Sequence, residues 1–204
     1  KLERLRTKIS TDLHDEIGST LAGMSMQAEM LLNGHRQHQE SYLKSIADNG
    51  RAAVQTMGDI VWSIDPRNDD SLSLFQRMEH YGNKVLGATD IAIQFESNGF
   101  IERQFIPQKI RQNVMLIFKE SITNIIKHAA ATRVEVVFDA YNDGFKLSIK
   151  DDGKGNSYGQ GDWRHNAKAG HGLRNMAMRS ELIGAELSFP KIDKGFEILL
   201  TFKG

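Results

Sequence analysis

The chain of 204 residues is 40% hydrophobic and 25% charged, the balance of an ordinary globular protein, and is long enough for one large or two small domains with real cores. Its 26 lysines and arginines equal its 26 aspartates and glutamates, so no broad basic field is present and no nucleic-acid partner is expected. Cysteine is absent, which excludes disulfides and thiolate metal sites and suits a reducing, cytoplasmic setting.

No run approaches the roughly eighteen consecutive apolar residues that a bilayer span requires, and no signal peptide opens the chain. Residue 1 is a lysine already inside a helical pattern, so the chain is expected to be part of a longer protein, with any membrane attachment in segments outside it.

Over residues 1–32, Leu2, Leu5, Ile9, Leu13, Ile17, Leu21, Met24, Ala28 and Leu31 recur at steps of three and four, a helical stripe. Asn33-Gly34 stops it. A second stripe over residues 40–64 carries Leu43, Ile46, Ala47, Val54, Met57, Ile60, Val61 and Ile64. Pro66 ends it by pushing the preceding residue out of the helical region. Two such helices form an antiparallel hairpin with a thin core, and pairing two hairpins in a four-helix bundle covers both stripes. A homodimer through residues 1–66 is therefore expected, with 67–71 as a polar connection to a second domain over 67–204.

In that domain the patterning predicts a helix over 71–86, a strand over 91–96 and a helix opened by Pro107 and running to 129. Strands follow at 133–141, 145–150 and 196–202, with 185–189 lying between the last two in the fold. Runs of strand broken by single helices give an α+β layer, one sheet with helices on one face.

Three short signals in this half carry chemistry. On a helix Glu120, Asn124, Lys127 and His128 share one polar edge, and an amide oxygen beside a carboxylate is a cradle for a hard cation such as Mg²⁺; the edge is also readable as a solvated helix face. Asp151-Asp152-Gly153-Lys154-Gly155 ends a strand, where glycines let the backbone pass close to a flat ligand and a carboxylate can accept from an exocyclic amine; it is also simply a good turn. Gly170-His171-Gly172-Leu173 leads into a helix whose free N–H groups suit phosphate, although a lone GxG says little. The polar, unpatterned segment 156–169 between the last two signals reads as a mobile lid.

A fourth signal is LHDEIGSTL, residues 13–21, in the first helix. Counting about 100° per residue, His14 lies about 80° from the centre of the apolar stripe, on its border rather than in its middle. Gly18 within the same stretch costs a helix about 1 kcal/mol relative to alanine. Side chains on a helix lean towards its N-terminus, so a glycine four residues after His14 leaves the imidazole uncovered.

The series Glu120, Asn124, Lys127-His128, then Asp151-Asp152-Gly153-Lys154-Gly155, then Gly170-His171-Gly172-Leu173 resembles the N, G1 and G2 boxes of the GHKL ATPase fold shared by gyrase, the Hsp90 chaperone, histidine kinases and MutL. LHDEIGSTL resembles the phosphoacceptor box of sensor histidine kinases of the NarX and DesK type. The resemblance covers nearly the whole chain and rests on four boxes in order. It implies a helical hairpin forming a dimeric four-helix bundle, followed by an α+β sandwich of the GHKL type that binds ATP and Mg²⁺. It implies that His14 takes the γ-phosphoryl group of ATP while Asp15 orients the imidazole and accepts its proton. Asn124 would hold Mg²⁺ with Glu120 beside it, Asp151 would contact the adenine amine, and Lys127 and His128 would lie near the phosphates. Gly153, Gly155, Gly170 and Gly172 would shape the pocket and lid, with Leu173 next to them. The implied partner is the receiver domain of a response regulator, docking near His14.

Two positions depart from the pattern. Ser19 stands where the family commonly has a glutamine associated with removing phosphate from the regulator, and serine is too short to position a water as an amide does. Gly195-Phe196 stands where related ATPases often carry Gly-Thr. Two rivals stay open on the sequence: a serine kinase or clamp-type ATPase of the same fold, and a degenerate kinase acting as a dimeric interaction module.

Overall fold

The computed structural model describes residues 18, 21–33, 39–99, 104–155 and 171–204. His14, Asp15, Ser19, Gly170, the interhelical residues 34–38 and the expected lid at 156–169 lie outside the described residues. The chain divides into two compact units, Lys1–Pro66 and Arg67–Gly204.

The first unit contains helix α1, residues 21–32, and helix α2, Gln39–Ile64. Gln27 Nε2 donates to Ser45 Oγ at 3.0 Å, and a Cβ at Gly50 would lie 3.4 Å from Met24 Cε. Those contacts step backwards along α2 as they step forwards along α1, which makes the pair antiparallel. Among the residues of this unit whose burial is described, Ala53 alone is buried, while Leu32, Val54 and Val61 are 86%, 70% and 67% exposed. Of the expected stripe positions that the structure describes, Leu21, Leu43, Val54, Met57 and Val61 remain exposed in the hairpin.

After the 3-10 turn Pro66–Asn68, the second unit opens with helix α3, Ser71–Leu86. Asp70 caps it by accepting the Ser73 N–H at 2.7 Å. Its buried residues Leu74, Phe75, Met78, Gly82 and Leu86 fall on one face. Gly82 is small because a Cβ there would come 2.7 Å from the Phe95 ring of the first strand. The remaining elements are β1 (Ala92–Asn98), α4 (Gln108–Asn124), β2 (Arg133–Tyr141), β3 (Gly144–Asp151), α5 (His171–Leu182), β4 (Glu186–Ser188) and β5 (Phe196–Lys203).

The sheet runs β1-β2-β3-β5-β4, with β1 parallel to β2 and every other pair antiparallel. This corrects the expected placement of the 185–189 segment: β5 lies between β3 and β4, and β4 is the edge. The physical reason is length and burial. β5 buries Ile198 and Leu200 and has eight residues to pair on both sides, whereas β4 has three and exposes Glu186, features that suit an edge. Along β2, Val134, Val136, Phe138 and Ala140 are buried while the residues between them are half-exposed, so one face of the sheet carries the core. Phe138 stacks on Phe145 at 5.1 Å and Phe75 meets Phe95 edge-on at 6.1 Å, and each such ring contributes roughly 1.5–3 kcal/mol by leaving water.

The entry of the chain into this unit is pinned. Ser71 N donates to Gln104 O and Ile106 N to Asp69 O, both at 2.9 Å. Arg111, fully buried in α4, donates to Ile106 O and pairs with Asp69. Among the described residues no helix is long and apolar enough to cross a membrane.

Candidate functional site

The α-helix expected over 107–129 stops at Asn124, and Ile125–Ala129 continue it as a π-helical turn that Ala130 closes in the left-handed region at φ 49°. One turn of wider pitch changes which directions Lys127 and His128 can take relative to Glu120 and Asn124. All four nonetheless line one cavity of about 570 Å³.

The opposite wall comes from β3 and β5. Asp151 ends β3 with its side chain on the core face, following Leu147 and Ile149, and lines the same cavity with Ile149, Lys154, Gly155, Phe196 and Ile198. The first turn of α5 completes it with Gly172 and Leu173. Gly172 is where this end of the site is tightest, since a Cβ there would lie 2.0 Å from Glu120 Oε1 and 3.4 Å from Asn124 Nδ2. The missing side chain lets the helix N-terminus sit against the carboxylate of α4.

Asp151 is buried, and loss of water pushes its carboxyl above the usual carboxylate range. The N–H of Gly153, at 2.8 Å, and the N–H of Phe196 pull it back, and the charge of Asp152 adds a smaller upward push. Asp152 behaves oppositely. The Thr132 hydroxyl and the N–H groups of Arg133 and Thr132 all donate to it and hold it down to about 2. Gly153 does not line the cavity; a Cβ there would come 2.2 Å from Ala129 O, so it serves the close approach of the loop to the π-turn.

Chemically, the cavity lining combines the apolar side chains of Ile125, Ile149 and Ile198 with the Asp151 carboxylate, the side-chain oxygens of Glu120 and Asn124, and three basic side chains, Lys127, His128 and Lys154. Of the residues singled out from sequence in these three segments, Glu120, Asn124, Lys127, His128, Asp151, Gly155, Gly172 and Leu173 line the one cavity, Gly153 does not, and Gly170 lies outside the described residues. Lys154 joins the cavity lining without a role read from sequence; a cation inside a glycine turn is the signal that could have found it. Ile125, Ile149 and Ile198 carried no signal beyond core periodicity. A second, more open concavity of about 500 Å³ is lined by Arg133, Lys150, Lys191 and Lys194 interleaved with Glu135, Asp152 and Asp193, a mixture that selects no ligand charge.

A five-stranded mixed sheet with a cavity lined from α4, its π-helical turn, β3, β5 and the first turn of α5 is the architecture of the GHKL ATPase class. Residues 110–204 match the family model described as Histidine kinase-, DNA gyrase B-, and HSP90-like ATPase, and residues 6–69 match that described as Histidine kinase. The two matches take in more than half of the chain, which belongs to the histidine kinases.

The sensor histidine kinase YxjM of Bacillus subtilis (strain 168) is 24% identical over 200 residues, 96% of this chain and 47% of its own length. The sensor histidine kinase DesK of the same organism is 26% identical over 197 residues, 92% of this chain and 48% of its own. The histidine kinase domain of a blue-light activated histidine kinase from Erythrobacter litoralis superposes with a TM-score of 0.59 at 12% identity, covering 98% of this chain and 93% of that one, a likeness of fold. The chain spans about half the length of the curated relatives it matches.

Proposed function

We propose that this chain is the catalytic portion of an ATP-dependent protein histidine kinase. Residues 1–66 form the dimerisation and phosphoacceptor hairpin of a homodimer, and residues 67–204, with 67–71 as connection, form the ATP-binding domain. The dimer phosphorylates His14 and passes the phosphoryl group to an aspartate of a response regulator whose receiver domain docks near His14. It works in the cytoplasm as part of a sensor, and any membrane attachment belongs to segments outside this chain.

The observation that carries the reading is that Glu120, Asn124, Asp151 and Gly172, spread over fifty residues of sequence, line one cavity. Adenine lies against Ile125, Ile149 and Ile198, and its exocyclic amine donates to Asp151. The phosphates lie towards Lys127, His128, Lys154 and the N-terminus of α5. Mg²⁺ is held through one or two protein oxygens together with phosphates and water. Glu120 and Asn124 offer two hard oxygens one helical turn apart on the same wall, so the donor set fits. The bound ion would neutralise charge on the phosphates.

Phosphoryl transfer asks mainly for positioning and charge stabilisation. A neutral imidazole is a competent nucleophile near pH 7. One ring nitrogen of His14 forms a bond to the γ-phosphorus as the bond from that phosphorus to the β–γ bridging oxygen breaks; Asp15 takes the imidazole proton and ADP leaves. Gly18 is in helix, and among the described residues nothing lies within 4 Å of a Cβ built there, in keeping with a glycine that serves access rather than packing.

Incubation with γ-labelled ATP and Mg²⁺ tests the reading. Acid-labile, alkali-stable label that disappears in His14→Gln, and in Asn124→Asp with the dimer intact, is the expected result. Label surviving His14→Gln overturns it in favour of a serine kinase or clamp ATPase, and no label from the native chain favours a degenerate module.

A further inference from the structure

Two segments far apart in sequence wall the cavity, and one carboxylate just outside it ties them together. Asp152 directly follows the cavity residue Asp151. Its Oδ1 accepts the N–H of Thr132 at 2.8 Å and the N–H of Arg133 at 2.9 Å, while Oδ2 accepts the Thr132 hydroxyl at 2.7 Å. The Asp152 N–H donates in return to Arg133 O at 3.2 Å. Two residues on, the Lys154 N–H donates to Ala129 O at 2.9 Å, so the segments are laced from Ala129 to Arg133 on one side and from Asp152 to Lys154 on the other. Ala129 is the last residue of the π-turn that carries Lys127 and His128.

We propose that Asp152 is a positioning residue for the nucleotide, holding the Asp151–Gly155 wall against the wall of Asn124–Ala129 at the separation that ATP bridges. This rests on the nucleotide reading of the cavity. Asp152 touches no part of the cavity lining's interior and acts through its neighbours. A carboxylate suits the task because charge-assisted bonds to three donors at once are short and directional. Fixing the walls before ATP arrives spares the ordering cost that binding otherwise bears. Alanine in its place keeps the backbone ladder but frees the loop. Asparagine keeps an oxygen for the two backbone N–H groups, and the Thr132 hydroxyl can rotate to accept from its amide.

The test is calorimetric titration of the full chain with a non-hydrolysable ATP analogue and Mg²⁺, beside labelling kinetics and thermal melting, for the native protein, Asp152→Ala, Asp152→Asn and Thr132→Val. Asp152→Ala is expected to raise the Kd for the analogue and the KM for ATP about tenfold with kcat changed by about twofold or less, and Thr132→Val to weaken binding about threefold. Asp152→Asn is expected within about threefold of native affinity, a rescue that a general loss of folding does not give. Native affinity in Asp152→Ala, or Asp152→Asn as weak as alanine, overturns the proposal. If Asp152→Ala loses its cooperative melt, Thr132→Val decides: weakened binding supports the proposal and native binding overturns it. A native chain that takes up no analogue overturns the nucleotide reading itself, an outcome distinct from native binding with an indifferent alanine variant.

Discussion

The two units of this chain solve the burial problem differently. The ATPase unit encloses its own core, with Phe138, Phe145, Leu74, Met78, Phe118 and Ile122 essentially out of water. The hairpin leaves Leu43, Val54 and Val61 more than half exposed and, among its residues whose burial is described, buries Ala53 alone. A sheet with helices on one face is a complete two-layer fold, whereas two helices are half of a bundle. Chemistry that needs a rigid pocket sits in the self-sufficient unit, and the group proposed to be modified sits in the one that needs a partner.

The contrast is sharpened most by the buried Arg111. Arg111→Ala should destabilise the ATPase unit by about 3 kcal/mol, near the lower end for a broken buried pair because Asp69 stays within reach of water. Denaturant unfolding followed by tryptophan and far-ultraviolet signals checks it, and a hairpin transition moving by the same amount would break the independence of the units. Val61→Asp should weaken the proposed dimer by about 30-fold or more, read by sedimentation, with the ATPase melting unchanged. A dimer indifferent to that charge would mean that the exposed stripe is not the interface.

The smallest expected effect is electrostatic. Asp152 has its folded value depressed to about 2 from 3.8, so its contribution is fully present above about pH 4 and is lost as the pH falls towards 2. Asp151, raised by burial, has the opposite sign, because charging it opposes folding as the pH climbs through its range. Acid unfolding of the ATPase unit should therefore be shallower in Asp152→Asn than in the native chain, and identical acid limbs would contradict the assignment.

Much of this was readable from residues alone. Pro66 and Pro107 punctuated the helices, alternation over 91–96 marked β1, and the glycines of Asp151–Gly155 marked a turn. The order of β4 and β5 was not, because neither local pattern nor periodicity records which strand pairs on two sides. The π-turn at Ile125–Ala129 was not, since these residues suit an α-helix equally well. Arg111 gave no signal because a charged residue on a helix reads as solvent-facing until Asp69 and Ile106 O are brought to it by chain reversal. Within Asp151-Asp152 the sequence offered two carboxylates side by side, and burial separates their roles.

Titrating the native chain and Asp151→Asn with a non-hydrolysable ATP analogue addresses most directly whether this cavity is the nucleotide site. An amide at Asp151 must still satisfy the Gly153 and Phe196 N–H groups with its single oxygen, leaving its own N–H groups to face the adenine amine. The native chain should bind, and Asp151→Asn should bind at least about tenfold more weakly with an unchanged dimer. Equal affinity in the two proteins would contradict the placement of the nucleotide in this cavity.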